Sequence, residues 1–126
     1  MTAVLDASAV LAVLLGEEGS SRVVGYLDDS QISAVNHAEV LSRLDLLGIS
    51  VESGSDLVDR LRIEVVPFTA SHARAVARLR SLTAGSGLSL GDRACIAVAR
   101  ELGHRVVTAD RVWMTLKLGV EVVTIR

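Results

Sequence analysis

The sequence predicts an α/β fold: a three-layer α/β/α sandwich around a five-stranded, mostly parallel sheet. Two observations carry this. Five short runs rich in Val, Ile and Leu alternate with longer segments of helical pattern, as strand–helix–strand units require. Half the residues are hydrophobic while only 2% are aromatic, and Val, Leu and Ala dominate, which suits strands buried on both faces. At 126 residues the chain has the size of one domain, expected to span 1–126. A domain this long buries roughly two-thirds of its unfolded surface, enough to fold without staples.

The first strand is expected over Thr2–Leu5, with Asp6 capping a helix from Ala7 to Leu15. Gly16–Gly19 makes a turn, and Ser20 or Ser21 opens a second helix that runs to about Leu27, where Asp28-Asp29-Ser30 stops it. Gln31–Val35 reads as the second strand. Asn36 is a good N-cap residue for a helix from His37 to Leu47 ending at Gly48. Ser50–Gly54 is expected as loop and Ser55–Leu61 as helix. Ile63–Val66 is the third strand, closed by Pro67, the only proline. Thr69 or Ser71 caps an Arg-rich helix to Leu82, and Thr83–Gly87 is a loop. Ser89 caps a helix to Leu102 that is apolar nearly all round, hence central. Arg105–Thr108 is the fourth strand, Asp110 starts a short helix to Lys117, and Glu121–Ile125 is the last strand.

Composition excludes several functions. A net charge of −2 and a pI near 5.9 lack the overall basicity of many nucleic-acid binders, so any basic surface is local. Arg74, Arg78 and Arg80, with Arg43, Arg60 and Arg62, read first as a solvated face; phosphate contact would require clustering near an acidic edge. The single cysteine, Cys95, excludes an intramolecular disulfide and reads as a small buried thiol. His37, His72 and His104 lack the mutual spacing of zinc ligands. Gly85-Ser86-Gly87 lacks the lysine of a phosphate loop, and Trp113 reads as a packing anchor. With no signal-like opening and no apolar run near 18 residues, a cytoplasmic protein is expected.

Chemistry points to four carboxylates. Asp6 follows the first strand, at the sheet edge where ligands collect in open α/β folds. Glu39, Asp92 and Asp110 also lie at expected helix openings. Each has an ordinary explanation. An N-terminal Asp accepts backbone N–H bonds and faces the positive end of the helix dipole. Asn36-x-x-Glu39 and Ser89-x-x-Asp92 have capping-box spacing, and Glu39 has Arg43 one turn on. Together, four anions on one edge repel each other by more than the ~0.3–1 kcal/mol each that a helix terminus offsets. A divalent cation resolves the conflict, because Mg²⁺ and Mn²⁺ prefer hard carboxylate oxygens and water. Such a site hydrolyses phosphodiesters with activated water and no protein nucleophile. Ser8 and Thr108 stand beside Asp6 and Asp110 as hydroxyls that orient water or carboxylate, or cap a helix.

These residues fall in motifs that resemble the PIN-domain ribonucleases, specifically the VapC-like toxins of type II toxin–antitoxin systems. The matching pieces are Val4-Leu5-Asp6-Ala7-Ser8-Ala9, Ile32-Ser33-Ala34-Val35 leading to Glu39, Leu88-Ser89-Leu90-Gly91-Asp92, and Val107-Thr108-Ala109-Asp110-Arg111-Val112-Trp113. The resemblance implies a PIN-like fold and a Mg²⁺- or Mn²⁺-dependent endoribonuclease. Asp6, Glu39, Asp92 and Asp110 would be its metal-binding acids and Thr108 its active-site hydroxyl, with Ser8 and Asn36 in support. It also implies an RNA substrate, a cognate VapB-like antitoxin and a homodimer. Two other readings compete. A haloacid-dehalogenase-like phosphatase also begins with Asp after the first strand, but wants a second Asp where Ser8 stands. A receiver-like or non-catalytic binding module wants a Lys directly after a late strand, whereas Lys117 lies within the last short helix.

Overall fold

In the computed structural model, which describes residues 1–126, five short strands form one sheet. In chain order they are β1 (Ala3–Leu5), β2 (Ser30–Ser33), β3 (Glu64–Val66), β4 (Arg105–Thr108) and β5 (Val122–Thr124). Across the sheet the order is β3-β2-β1-β4-β5, with every neighbouring pair parallel. The chain steps from β1 out through β2 to β3, then returns to the other side of β1 for β4 and β5. The order therefore reverses between β1 and β4, and the carboxyl ends of those two strands flank the crevice where ligands bind in such sheets.

Six helices cover the sheet: α1 (Ala7–Leu15), α2 (Ser20–Val24), α3 (Ala34–Leu46), α4 (Val51–Arg60), α5 (Ala70–Leu82) and α6 (Leu90–Leu102). Strand alternation divides the core in two. Ala3, Leu5 and Val107 face one layer with Val10 of α1, Val23 of α2, Leu44 of α3 and Val58 of α4. Val4 and Val106 face the other with Val76 and Leu79 of α5, the apolar side of α6, and Trp113. The expected three-layer sandwich forms, and α6 is the central helix: Ala94 through Ala99 are all buried. No helix is long and apolar enough to cross a membrane.

Four local expectations are corrected. Asn36 does not cap a helix. The β2–β3 register ends at Ser33 opposite Val66, so the chain turns earlier, and Ser33 caps α3 by accepting from the Val35 N–H at 3.2 Å. Residues 50–54 are not loop, because Ser50 accepts from the Ser53 N–H and α4 starts at Val51. Gly54 sits inside that helix as a contact point: a Cβ there would lie 3.2 Å from Leu41 Cδ2 and from Leu44 Cδ1, so its absence lets α4 approach α3. Finally, the second helix stops at Val24 before a short 3₁₀ turn at Leu27–Asp29, and the segment after Asp110 is a 3₁₀ turn, Arg111–Thr115, rather than an α-helix to Lys117.

Candidate metal centre at the carboxyl edge of the sheet

Asp6 is the first residue past β1, and its N–H still pairs with the Val107 carbonyl at 3.1 Å, so the sheet fixes its backbone. Its side chain is 4% exposed and fully engaged. Oδ1 accepts from the Ser8 hydroxyl at 2.6 Å and from the Ala9 N–H at 2.9 Å, which makes Asp6 the cap of α1. Oδ2 accepts from the Thr108 hydroxyl at 2.5 Å. Both hydroxyls also tie this carboxylate to the loop after β4, because Ser8 Oγ accepts from the Ala109 N–H and Thr108 Oγ1 from the Asp110 N–H. Asp110 is thus one hydroxyl away from Asp6. It is exposed, and its Oδ1 caps the following 3₁₀ turn through the Val112 N–H.

Glu39 and Asp92 arrive from two different helices. Ser89 and Asp92 form the expected capping box at the start of α6, with bonds of 3.1 and 2.9 Å. Glu39 belongs to no capping box and forms no ion pair with Arg43; the arginines paired with carboxylates are Arg60 and Arg126. Instead the buried Asn36 amide donates to Glu39 Oε1 at 2.8 Å and to the Gly91 carbonyl at 2.9 Å. Gly91 supplies the slot for that carboxylate. A Cβ on it would lie 2.7 Å from Glu39 Cδ and 2.9 Å from Oε2, closer than such atoms approach, with Oε1 nearer still. Glu39 therefore lies against the backbone residue that precedes Asp92. Gly91 is a contributor that sequence reasoning missed; nothing marks a helical glycine as functional until its neighbour in space is known.

Burial and mutual repulsion set the electrostatics. Desolvation pushes the Asp6 carboxyl from its ordinary value of 3.8 up to about 6; bonds from Ser8, Thr108 and Ala9 oppose the rise, and the Asp92 charge adds to it. Burial also raises Glu39, opposed by Asn36 and assisted by Asp92. Asp92 is thus close enough to act on both Asp6 and Glu39. The thiol of buried Cys95, on the next turn of α6, is pushed well above its ordinary value by burial, then by Asp6, Asp92 and Glu39. It stays protonated and is no nucleophile.

The donor set fits a hard divalent cation. All the anionic atoms are carboxylate oxygens, and Asn36 Oδ1 beside Glu39 is buried without a hydrogen-bond partner. No three acidic, histidine or cysteine side chains already surround one point at ligating distance. Asp6, Asp92 and Asp110 each close a helix or turn; Asp92 acts on Asp6 and Glu39, whereas Asp110 is linked to Asp6 only through its backbone N–H and the Thr108 hydroxyl. Two of the three histidines lie elsewhere in the bonding network. His72 Nδ1 accepts from the Thr69 N–H and completes the α5 capping box, while His104 Nδ1 lies 3.0 Å from Gln31 Oε1.

This fold belongs to a known class. The family model described as PIN domain matches residues 3–116, and the chain belongs to that family. Among solved structures, it is similar over 100% of its length to 99% of a chain in DNA-bound VapBC from Salmonella typhimurium, with 18% identity and a TM-score of 0.76. A toxin–antitoxin complex from Klebsiella pneumoniae matches at 16% identity and TM-score 0.74, covering 98% of each chain. VapBC-5 from Mycobacterium tuberculosis, a member of the VapBC family of toxin–antitoxin systems, matches at 26% identity and TM-score 0.63, covering 99% of this chain and 98% of that one. No curated protein sequence matches the chain.

Proposed function

We propose that the chain is a metal-dependent endoribonuclease, residues 1–126 acting as one domain, and the toxin of a toxin–antitoxin pair. The convergence of Asp6, Glu39 and Asp92 at the switch point of a PIN-domain sheet supports this reading above all else. The VapBC neighbours support a VapB-like antitoxin as partner. A cytoplasmic homodimer is the assembly expected.

In this reading Asp6, Glu39, Asp92 and Asp110 hold Mg²⁺ or Mn²⁺. The bound ion supplies positive charge against the developing phosphate anion and eases loss of a proton from water near neutral pH. Ser8 and Thr108 fix both oxygens of Asp6, so that carboxylate costs little reorganisation when charge develops beside it. Asn36 holds Glu39 against α6. Asp110, exposed at the rim with only Oδ1 engaged, is the acid free to orient water.

The test is cleavage of labelled RNA by purified protein with Mg²⁺ or Mn²⁺. Asp6→Asn and Asp92→Asn are each expected to lower the rate at least ~100-fold, as loss of a preorganised electrostatic group does, with circular-dichroism melts still cooperative. Cleavage at the wild-type rate by the double variant would refute the reading. Co-expression with the adjacent open reading frame is expected to relieve growth arrest; persistence of arrest would count against the toxin assignment.

A further inference from the structure

An acidic centre repels the phosphates it is meant to receive, so the substrate strand needs a positive foothold close by. We infer that the cleft at the α5–α6 junction is that foothold: a subsite for the phosphodiester backbone of a single strand, with Arg80 and Arg93 as its anion-binding groups. The inference rests on the nuclease reading and deepens it.

The cleft has a volume of about 600 Å³, and its walls include Arg80, Ser81, Thr83, Gly85, Gly87 and Arg93. That is large enough for a small ligand or a nucleotide unit. No acid lines it, and no Asp or Glu occurs anywhere between Glu64 and Asp92, so α5 and the loop after it carry only positive charge. In a chain of net charge −2 this is the local basic surface that overall composition conceals. Neither Arg80 nor Arg93 has a carboxylate partner; the arginine ion pairs go to Arg60 and Arg126. Arg93 is pre-set by one bond from Nη1 to the Val76 carbonyl at 3.1 Å, which leaves its other donors uncommitted.

Position and donor chemistry narrow the ligand. Leu88 and Arg93, which line the cleft, flank the Ser89–Asp92 capping box, so the cleft lies at the end of α6 that carries Asp92. The hydroxyls of the cleft have spent their protons on backbone carbonyls: Ser81 donates to Arg78 and Thr83 to Leu79. The side-chain donors left are guanidinium groups, which pair well with phosphate oxygens. No aromatic residue lines the cleft to stack a base. Such a site reads charge rather than base identity and sets the strand's register. It takes RNA and DNA strands alike at this contact.

The experiment is fluorescence anisotropy of a labelled single-stranded RNA oligonucleotide in EDTA, with a salt titration and a DNA oligonucleotide of equal length beside it. Two lost phosphate contacts on a single strand lower the slope of log K against log salt by about 1.4. Arg80→Gln/Arg93→Gln is expected to show that loss with both oligonucleotides, together with about tenfold or more weaker binding. Arg60→Gln, whose arginine pairs with Asp56 on α4, is expected to leave the slope unchanged. Because Arg93 also bonds to Val76, Arg80→Glu serves as the second variant; Arg80 is exposed and its reversal is expected to weaken binding without shifting the melt. An unchanged slope in the double variant and unchanged affinity in Arg80→Glu, with wild-type cleavage intact, would overturn the subsite alone. Wild-type protein that neither binds nor cleaves any oligonucleotide with Mn²⁺ would overturn the nuclease reading and this inference with it.

Discussion

Replacing Asp6 by Asn tests the physical core of the account without any substrate. The carboxyl is 4% exposed and its pKa stands at about 6 against an ordinary 3.8. Each tenfold change in acidity is worth about 1.36 kcal/mol, so the displacement corresponds to about 3 kcal/mol. The sign follows from linkage: the folded state holds this proton more tightly than the unfolded chain does. The stabilising contribution is fully present below pH 3.8 and is lost as pH rises through about 6. At pH 7.5 the metal-free protein therefore carries a buried charge that Asn lacks. Asn keeps an acceptor for Ser8 and Ala9 but presents an amide to Thr108 Oγ1, which gives back about 1 kcal/mol. The net expectation is a metal-free Asp6→Asn protein about 2 kcal/mol more stable than wild type at pH 7.5, with the advantage gone below pH 4. Urea melts in EDTA at both pH values measure it. A variant equally or more destabilised at pH 7.5 than at pH 4 would refute the reasoning.

Other perturbations probe the neighbours. Gly91→Ala is expected to preserve or slightly raise the melting temperature, since α6 gains a better helix former, while cutting Mn²⁺-dependent cleavage about tenfold or more by expelling Glu39 from its slot. In a Glu39→Ala background the same change is expected to cost nothing further, which a double-mutant cycle of rates checks. Thr108→Val removes the hydroxyl between Asp6 and Asp110 and is expected to cost about 1–3 kcal/mol in denaturant melts. Ser33→Ala is expected to cost about 1 kcal/mol as a lost N-cap, whereas Asn36→Leu is expected to impair metal-dependent cleavage more than Ser33→Ala does; equal behaviour of the two would contradict their assigned roles.

Much of this molecule was legible in its residues, and the failures have physical causes. Asp6, Ser89 with Asp92, and Asp110 were readable because local capping rules and the sheet edge demand the same residue types. Ser33 and Asn36 were confused because both are good caps within three residues, and the choice between them is made by where β2 stops pairing with β3. Gly54 and Gly91 were invisible for a related reason. A glycine in a sequence signals a break, and only the packing partner, Leu41 and Leu44 in one case and Glu39 in the other, reveals a close approach instead. Arg80 and Arg93 were not legible as a pair, because the cleft they share forms only where α5 and α6 pack together.

The central claim is that the acids of this edge form a seat for a divalent ion, and calorimetric titration of Mn²⁺ into the metal-free protein tests it most directly. Saturable binding that Mg²⁺ competes away, and that Asp6→Asn/Asp92→Asn abolishes, is the predicted result. A wild-type protein that takes up no Mn²⁺, or a double variant that takes it up equally well, would contradict the claim.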